Sequence, residues 1–243
     1  MKFDDGISAL PLWIDGRAYL NVAEDFADVR NVRTGEIIYH VPLCGPEEAE
    51  RALAAARRAL SDWAMLAETA RRSRIAAWGN ALEELREHFA QILMVETGVS
   101  IAEAEDEITR AVEWLYRPPG VSCPAGGGIV ALYLGTEMPL VNAARTLSLS
   151  LGSGATAVVK PASSAPSAVF ALIELSAHAG MPPGVVNLIH GEDAALDAIA
   201  GQPGVLPARA EKCLCAAFPR PPSSSAPTDS QQFPGNFGCF GMA

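Results

Sequence analysis

Lys160 stands directly after the apolar run Ala157-Val158-Val159 and directly before Pro161. One reading is structural: the lysine is the polar end of a buried strand reaching water. The other is chemical. In a parallel sheet, ligands sit beyond the carboxyl ends of the strands, where a cation meets phosphate or ribose oxygens. Gly191 follows a second apolar run, residues 185–189, and stands at a comparable end.

Other reactive side chains form no such pattern. The five cysteines are Cys44, Cys123, Cys213, Cys215 and Cys239. Their odd number and irregular spacing argue against a disulfide framework and for a reducing compartment, the cytoplasm. Cys213 and Cys215 make a C-x-C pair, but no second Cys/His pair lies near it, so no metal site is expected. His40, His88, His178 and His190 make no constellation with a serine or cysteine that suggests hydrolysis. With 28 acidic against 18 basic residues, the formal charge is −10. Such a surface repels nucleic acid and anionic lipid, so neither is an expected partner. No run approaches the ~20 apolar residues of a membrane span, and no basic segment followed by an apolar one opens the chain.

The elements that must position Lys160 and Gly191 are legible as periodicity. Trp13-Ile14 reads as a short strand, Asp15-Gly16 as a turn, and Ile37 to Val41 as a second β-rich run. Pro46, Glu47 and Glu48 suit a helix start. Ala49, Leu53, Ala56, Leu60 and Trp63 then recur at helical spacing. A longer helix is expected over about 68–95, with the stripe Ile75, Trp78, Leu82, Leu85, Phe89 and Ile92, ended by Gly98. Ser100 and Glu103 make a capping box for a third helix, with Ile101, Ala104, Ile108, Ala111 and Leu115 inward. Its acidic run Glu103, Glu105, Asp106 and Glu107 reads as a solvated face. After the Pro/Gly-rich stretch 117–128 the rhythm alternates. Strands are expected at 129–134, 156–159 and 185–189, and helices at 140–151, 165–179 and 192–200. That order argues for a parallel sheet covered on both faces. Residues 207–243 are rich in Pro, Ser and Cys and read as disordered.

Eight short motifs fall in an order that resembles the aldehyde dehydrogenase superfamily. They are Trp13-Ile14-Asp15-Gly16, Asn31 with Thr34-Gly35-Glu36, Val41-Pro42-Leu43, Glu96-Thr97-Gly98, Pro139-Leu140, Asn142-Ala143-Ala144-Arg145, Val158-Val159-Lys160-Pro161 and Pro182-Pro183-Gly184-Val185-Val186-Asn187. The resemblance covers about residues 12–205. It implies NAD(P)-dependent oxidation of an aldehyde to a carboxylic acid by a cysteine thiolate and a general-base glutamate. It implies NAD or NADP as cofactor, with contacts at Leu134, Thr136, Lys160, Ala162, Ser163 and Gly191. Lys160 would hydrogen-bond the adenosine ribose.

The departures from the family pattern are specific. Glu137 stands where the family has an asparagine that donates to the oxyanion, and an ionised carboxylate only accepts. Losing one such donor costs ~10²–10³ in rate. Ser163 replaces the glutamate of NAD-preferring members, which removes a repulsion against a 2′-phosphate. The stretch from Gly98 to Gly128 is shorter than the family norm. No Gly-Gln-x-Cys, no general-base glutamate in its setting and no Phe-Thr-Gly-Ser turn follows Lys160.

The expected fold is therefore α/β: an incomplete doubly wound, Rossmann-like parallel sheet preceded by an N-terminal arm and helical layer. Residues 1–128 form the arm and helices, 129–205 the first strands and helices of the sheet, and 206–243 a tail foreign to the family. The chain is expected to be truncated or frameshifted after about residue 205, with no catalytic residue of its own. The alternative is a non-catalytic interaction module that associates with an intact homologous subunit.

Overall fold

A computed structural model describes residues 6–19, 25–116 and 128–210. The linker 117–127 and the tail beyond 210, both singled out in the sequence, lie outside the described residues. Strands β1 (Leu12–Ile14) and β2 (Arg17–Tyr19) form a hairpin, and β3 (Phe26–Arg30) and β4 (Ile37–Pro42) a separate two-stranded ribbon. Four helices follow: α1 (Pro46–Met65), α2 (Glu68–Glu84), α3 (Arg86–Thr97) and α4 (Ile101–Tyr116). The alternating half then runs β5 (Ile129–Tyr133), α5 (Pro139–Gly152), β6 (Thr156–Lys160), α6 (Ser167–His178), β7 (Val186–Leu188), α7 (Asp193–Ala200) and β8 (Val205–Arg209).

The main sheet has the order β2-β1-β7-β6-β5-β8. β5 to β8 are mutually parallel, whereas β1 pairs antiparallel with β7. The arm expected from the sequence thus extends the sheet. Asn187, fully buried, fixes this join: its Oδ1 accepts the Asp15 N–H at 3.0 Å and its Nδ2 donates to the Gly184 carbonyl at 2.8 Å.

Alternation along the buried strands divides the core. Val130, Leu132, Ala157 and Val159 face the layer of α2, α4, α5 and α6. Ile129, Ala131, Tyr133 and Val158 face α1 and α7, against Leu53, Ala56, Leu196 and Ile199. Two buried tryptophans tie layers together through their ring N–H. Trp63 donates to the Leu151 carbonyl at 3.0 Å and Trp78 to the Leu172 carbonyl at 2.7 Å. This is the doubly covered α/β sheet read from the sequence, with only part of the domain present.

Four local readings change. The single helix over 68–95 breaks at Leu85, whose side chain is exposed rather than part of the stripe. Ile101 is exposed too, while Ala104, Ile108, Ala111 and Leu115 are buried as the periodicity predicts. The acidic run on α4 is not uniformly solvated, because Glu107 is only 3% exposed. β8, finally, begins at the break drawn near residue 205 and continues to Arg209, paired parallel to β5.

Candidate cofactor site

The sheet order β7-β6-β5-β8 reverses direction between β5 and β8. Such a switch point opens a crevice at the carboxyl ends of the strands, the general place for ligands in open α/β sheets. Register decides which side chains meet there. Tyr133 is opposite Lys160 on β6 and opposite Arg209 on β8. These three residues form one row across the strand ends.

α7 closes over that row. Asp193, its first residue, accepts from Lys160 Nζ at 3.1 Å through Oδ1 and from Arg209 Nη1 at 2.8 Å through Oδ2. One turn on, Asp197 accepts the Tyr133 hydroxyl at 2.6 Å. The Arg209 guanidinium lies 4.3 Å from the centre of the Tyr133 ring, a cation–π contact. Burial first, then Asp197, pushes the Tyr133 phenol upward, so it stays a hydrogen-bond donor. Arg209 first, and Lys160 after it, holds the Asp193 carboxyl below its ordinary range, so it is ionised at neutral pH.

Lys160 is 5% exposed. Its Nζ also reaches the carbonyls of Pro161 at 3.2 Å and Gly191 at 3.4 Å. Ser163 Oγ donates to the same Gly191 carbonyl at 3.2 Å. Gly191 has φ +116°, and a Cβ there would stand 2.9 Å from the Cys44 nitrogen. Only glycine lets the chain pass between the 43–44 backbone and Lys160. Lys160, Ala162, Ser163 and Gly191 are thus brought to one rim, with Ala162 and Ser163 half-buried.

The other two candidates sit apart from that rim. The Leu134 side chain lies in the core and its N–H bonds the Lys160 carbonyl at 3.0 Å, which leaves its remaining backbone for any contact. Thr136 is exposed in a cleft of about 1010 Å³ between α3, α4 and the start of α5, with Glu96, Glu103, Asp106 and Glu137 in its wall. Met138 holds the loop before α5 in a left-handed conformation, φ +45°, uncommon for a bulky residue.

Two buried carboxylates hold helix starts beside the sheet, and only one of them, Glu96, falls within a sequence motif. Met138 caps α5 without a side-chain hydrogen bond. Glu107, from α4, supplies the missing acceptor: its Oε1 accepts the N–H groups of Leu140 at 2.8 Å and Val141 at 3.4 Å. Glu96, from α3, accepts the Ser167 N–H at 3.0 Å at the start of α6. Each carboxyl satisfies orphan donors at the positive end of a helix flanking the sheet. Both are pushed up by burial, Glu96 to about 7. The signal was present: Glu107 lies three residues after Ala104 and four before Ala111, inside the apolar stripe.

A nucleophile is a different matter. Cys44, the one cysteine among the described residues, is 7% exposed, and burial pushes its thiol up to about 12. It offers no thiolate at neutral pH. No helix among the described residues is long and apolar enough to cross a membrane.

Comparison with known proteins agrees with this fold. The model of the aldehyde dehydrogenase family matches residues 19–118 and 125–206. Glutarate-semialdehyde dehydrogenase of Pseudomonas putida is 32% identical over 182 residues, covering 67% of this chain and 38% of that protein. Malonate-semialdehyde dehydrogenase 2 of Shouchella clausii is 28% identical over 212 residues, covering 79% of this chain and 44% of that protein. The chain therefore spans well under half the length of these relatives. Among solved structures, a mutant aldehyde dehydrogenase from Pseudomonas syringae with NAD+ and octanal superposes with a TM-score of 0.76. Its identity is 26%, over 83% of this chain and 45% of that one. A point mutant of betaine aldehyde dehydrogenase from Staphylococcus aureus with NAD+ gives a TM-score of 0.75 at 25% identity, over 82% and 45%. With this strand order and a family match over most of its length, the chain belongs to the aldehyde dehydrogenase family and carries part of that family's NAD-binding α/β fold.

Proposed function

We propose that Lys160, Ala162, Ser163 and Gly191 form the adenosine-ribose end of an NAD(P) site. The parent reaction is oxidation of an aldehyde to a carboxylic acid, in which NAD(P) accepts the hydride. These 243 residues by themselves hold the cofactor end and do not carry out the chemistry. The observation that supports this most is Lys160 at the carboxyl end of β6, buried yet aimed at a rim where Asp193 stands beside it. An ammonium donor next to a carboxylate acceptor fits the two hydroxyls of a ribose. Inactivity is supported by Cys44, the one cysteine among the described residues, whose thiol burial pushes up to about 12, and by Glu137 at the position of the oxyanion donor. Leu134 and Thr136 complete the proposed contacts, Leu134 through its backbone.

Two measurements test the reading. Adenosine 5′-monophosphate is expected to bind, and Lys160→Ala to weaken it about tenfold or more by removing a charge-assisted hydrogen bond. Incubation with aldehyde and NAD(P)+ is expected to give no NAD(P)H. Aldehyde-dependent NAD(P)H that disappears on substituting one of the chain's own cysteines would overturn the proposal of inactivity. The second reading, an interaction module for a homologous subunit, is favoured by one observation: among the described residues, β8 is an edge strand of the sheet. Co-purification with such a subunit, lost on Leu206→Pro, is the outcome it requires.

A further inference from the structure

Ser163, taken from sequence, opens the ribose end to NADP. The structure brings another carboxylate to that place. Asp193 starts α7 and reaches back over the strand ends to lie 3.1 Å from Lys160 Nζ and 2.8 Å from Arg209 Nη1. Gly191, two residues before it, receives the Ser163 hydroxyl at 3.2 Å. Lys160, Ser163 and Asp193 therefore share one rim. We infer that Asp193 is the residue that makes this site select a free ribose 2′-hydroxyl over a 2′-phosphate, in place of the glutamate that Ser163 replaces. This rests on the cofactor reading above.

The physical basis is charge and donors. A carboxylate accepts a hydrogen bond from a 2′-hydroxyl, whereas a 2′-phosphate brings two further negative charges and no donor to satisfy it. Asp193 is ionised, held so by two cations, and cannot relieve the clash by taking a proton at neutral pH. It also occupies the cations a phosphate would need. Arg209 and Lys160 are both engaged by its two oxygens, so phosphate must break two ion pairs to use them. Selectivity of this kind comes from a built-in repulsion as much as from attraction. Removing the carboxylate reverses both effects, leaving Lys160 and Arg209 free to grip a phosphate.

The test is a calorimetric titration of the full 243-residue chain with adenosine 5′-monophosphate and with adenosine 2′,5′-bisphosphate at low salt. The wild type is expected to bind the monophosphate about tenfold more tightly or better. Asp193→Asn is expected to bring the bisphosphate level or ahead, and Asp193→Glu to keep the wild-type order. Equal affinity of the wild type for both nucleotides, or preference for the bisphosphate, overturns the inference while the cofactor reading stands. Failure of the wild type to bind either overturns the cofactor reading and this inference with it. The wild-type comparison can overturn the inference even if a variant fails to fold.

Discussion

Glu107 and Glu96 show how single residues shape the site without touching a ligand. Replacing Glu107 with alanine strands the N–H groups of Leu140 and Val141 in a buried setting. A loss of about 2 kcal/mol is expected, and less for Glu107→Gln, which keeps an acceptor. Urea unfolding of the two variants distinguishes them. Glu96 and His190 give a pH signature. Burial pushes the Glu96 carboxyl up to about 7 and, with Lys160's charge adding, the His190 imidazole down to about 4. Acidification from about 7 toward 4.5 lets folded Glu96 take a proton before the unfolded chain does, so stability is gained. Between about 6.5 and 4 the unfolded chain takes a proton that folded His190 refuses, so stability is lost. The two oppose each other in the overlap. Glu96→Gln is therefore expected to lose more stability than the wild type between about pH 7 and 5. The difference is capped at about 3 kcal/mol, since a tenfold change in proton affinity is worth ~1.4 kcal/mol. Parallel urea midpoints for the two proteins would contradict this.

At the scale of elements, most of the alternating half was legible because continuous apolar runs and helical stripes have different periods. β5, β6, β7, α5, α6 and α7 lie within two or three residues of the expected limits. The break at Leu85 was not legible, because the stripe Leu82, Leu85, Phe89 keeps helical spacing straight through it. Nor was the role of Glu107 recovered, because the acidic run around it reads as solvated and outweighs its place inside the apolar stripe. Gly184 marks where α1 packs closest to the start of β7. It has φ +80°, and a Cβ would stand 2.6 Å from the Ala55 carbonyl oxygen. Gly184→Ala is expected to cost about 2–4 kcal/mol through strained backbone and overpacking combined. A thermal unfolding scan should show it, and an unchanged midpoint would mean the helix can move aside.

For the molecule as a whole, sequence motifs identified the family and the sheet class, but the register did the rest. Lys160, Tyr133 and Arg209 are far apart in the chain, and only strand pairing sets them in one row under α7. That is why Lys160, Ala162, Ser163 and Gly191 were recoverable as candidates from the sequence, while Asp193 and Arg209 were not. The same row defines the central claim, that the rim over β6 and α7 is the ribose end of a dinucleotide site. Backbone amide shifts of the isotopically labelled chain, followed as adenosine 5′-monophosphate is added, test it most directly. Saturable shifts at Ala162, Ser163, Gly191 and Asp193, abolished by Lys160→Ala, are the predicted result. Shifts confined to residues away from that rim, or none at saturating nucleotide, would contradict it.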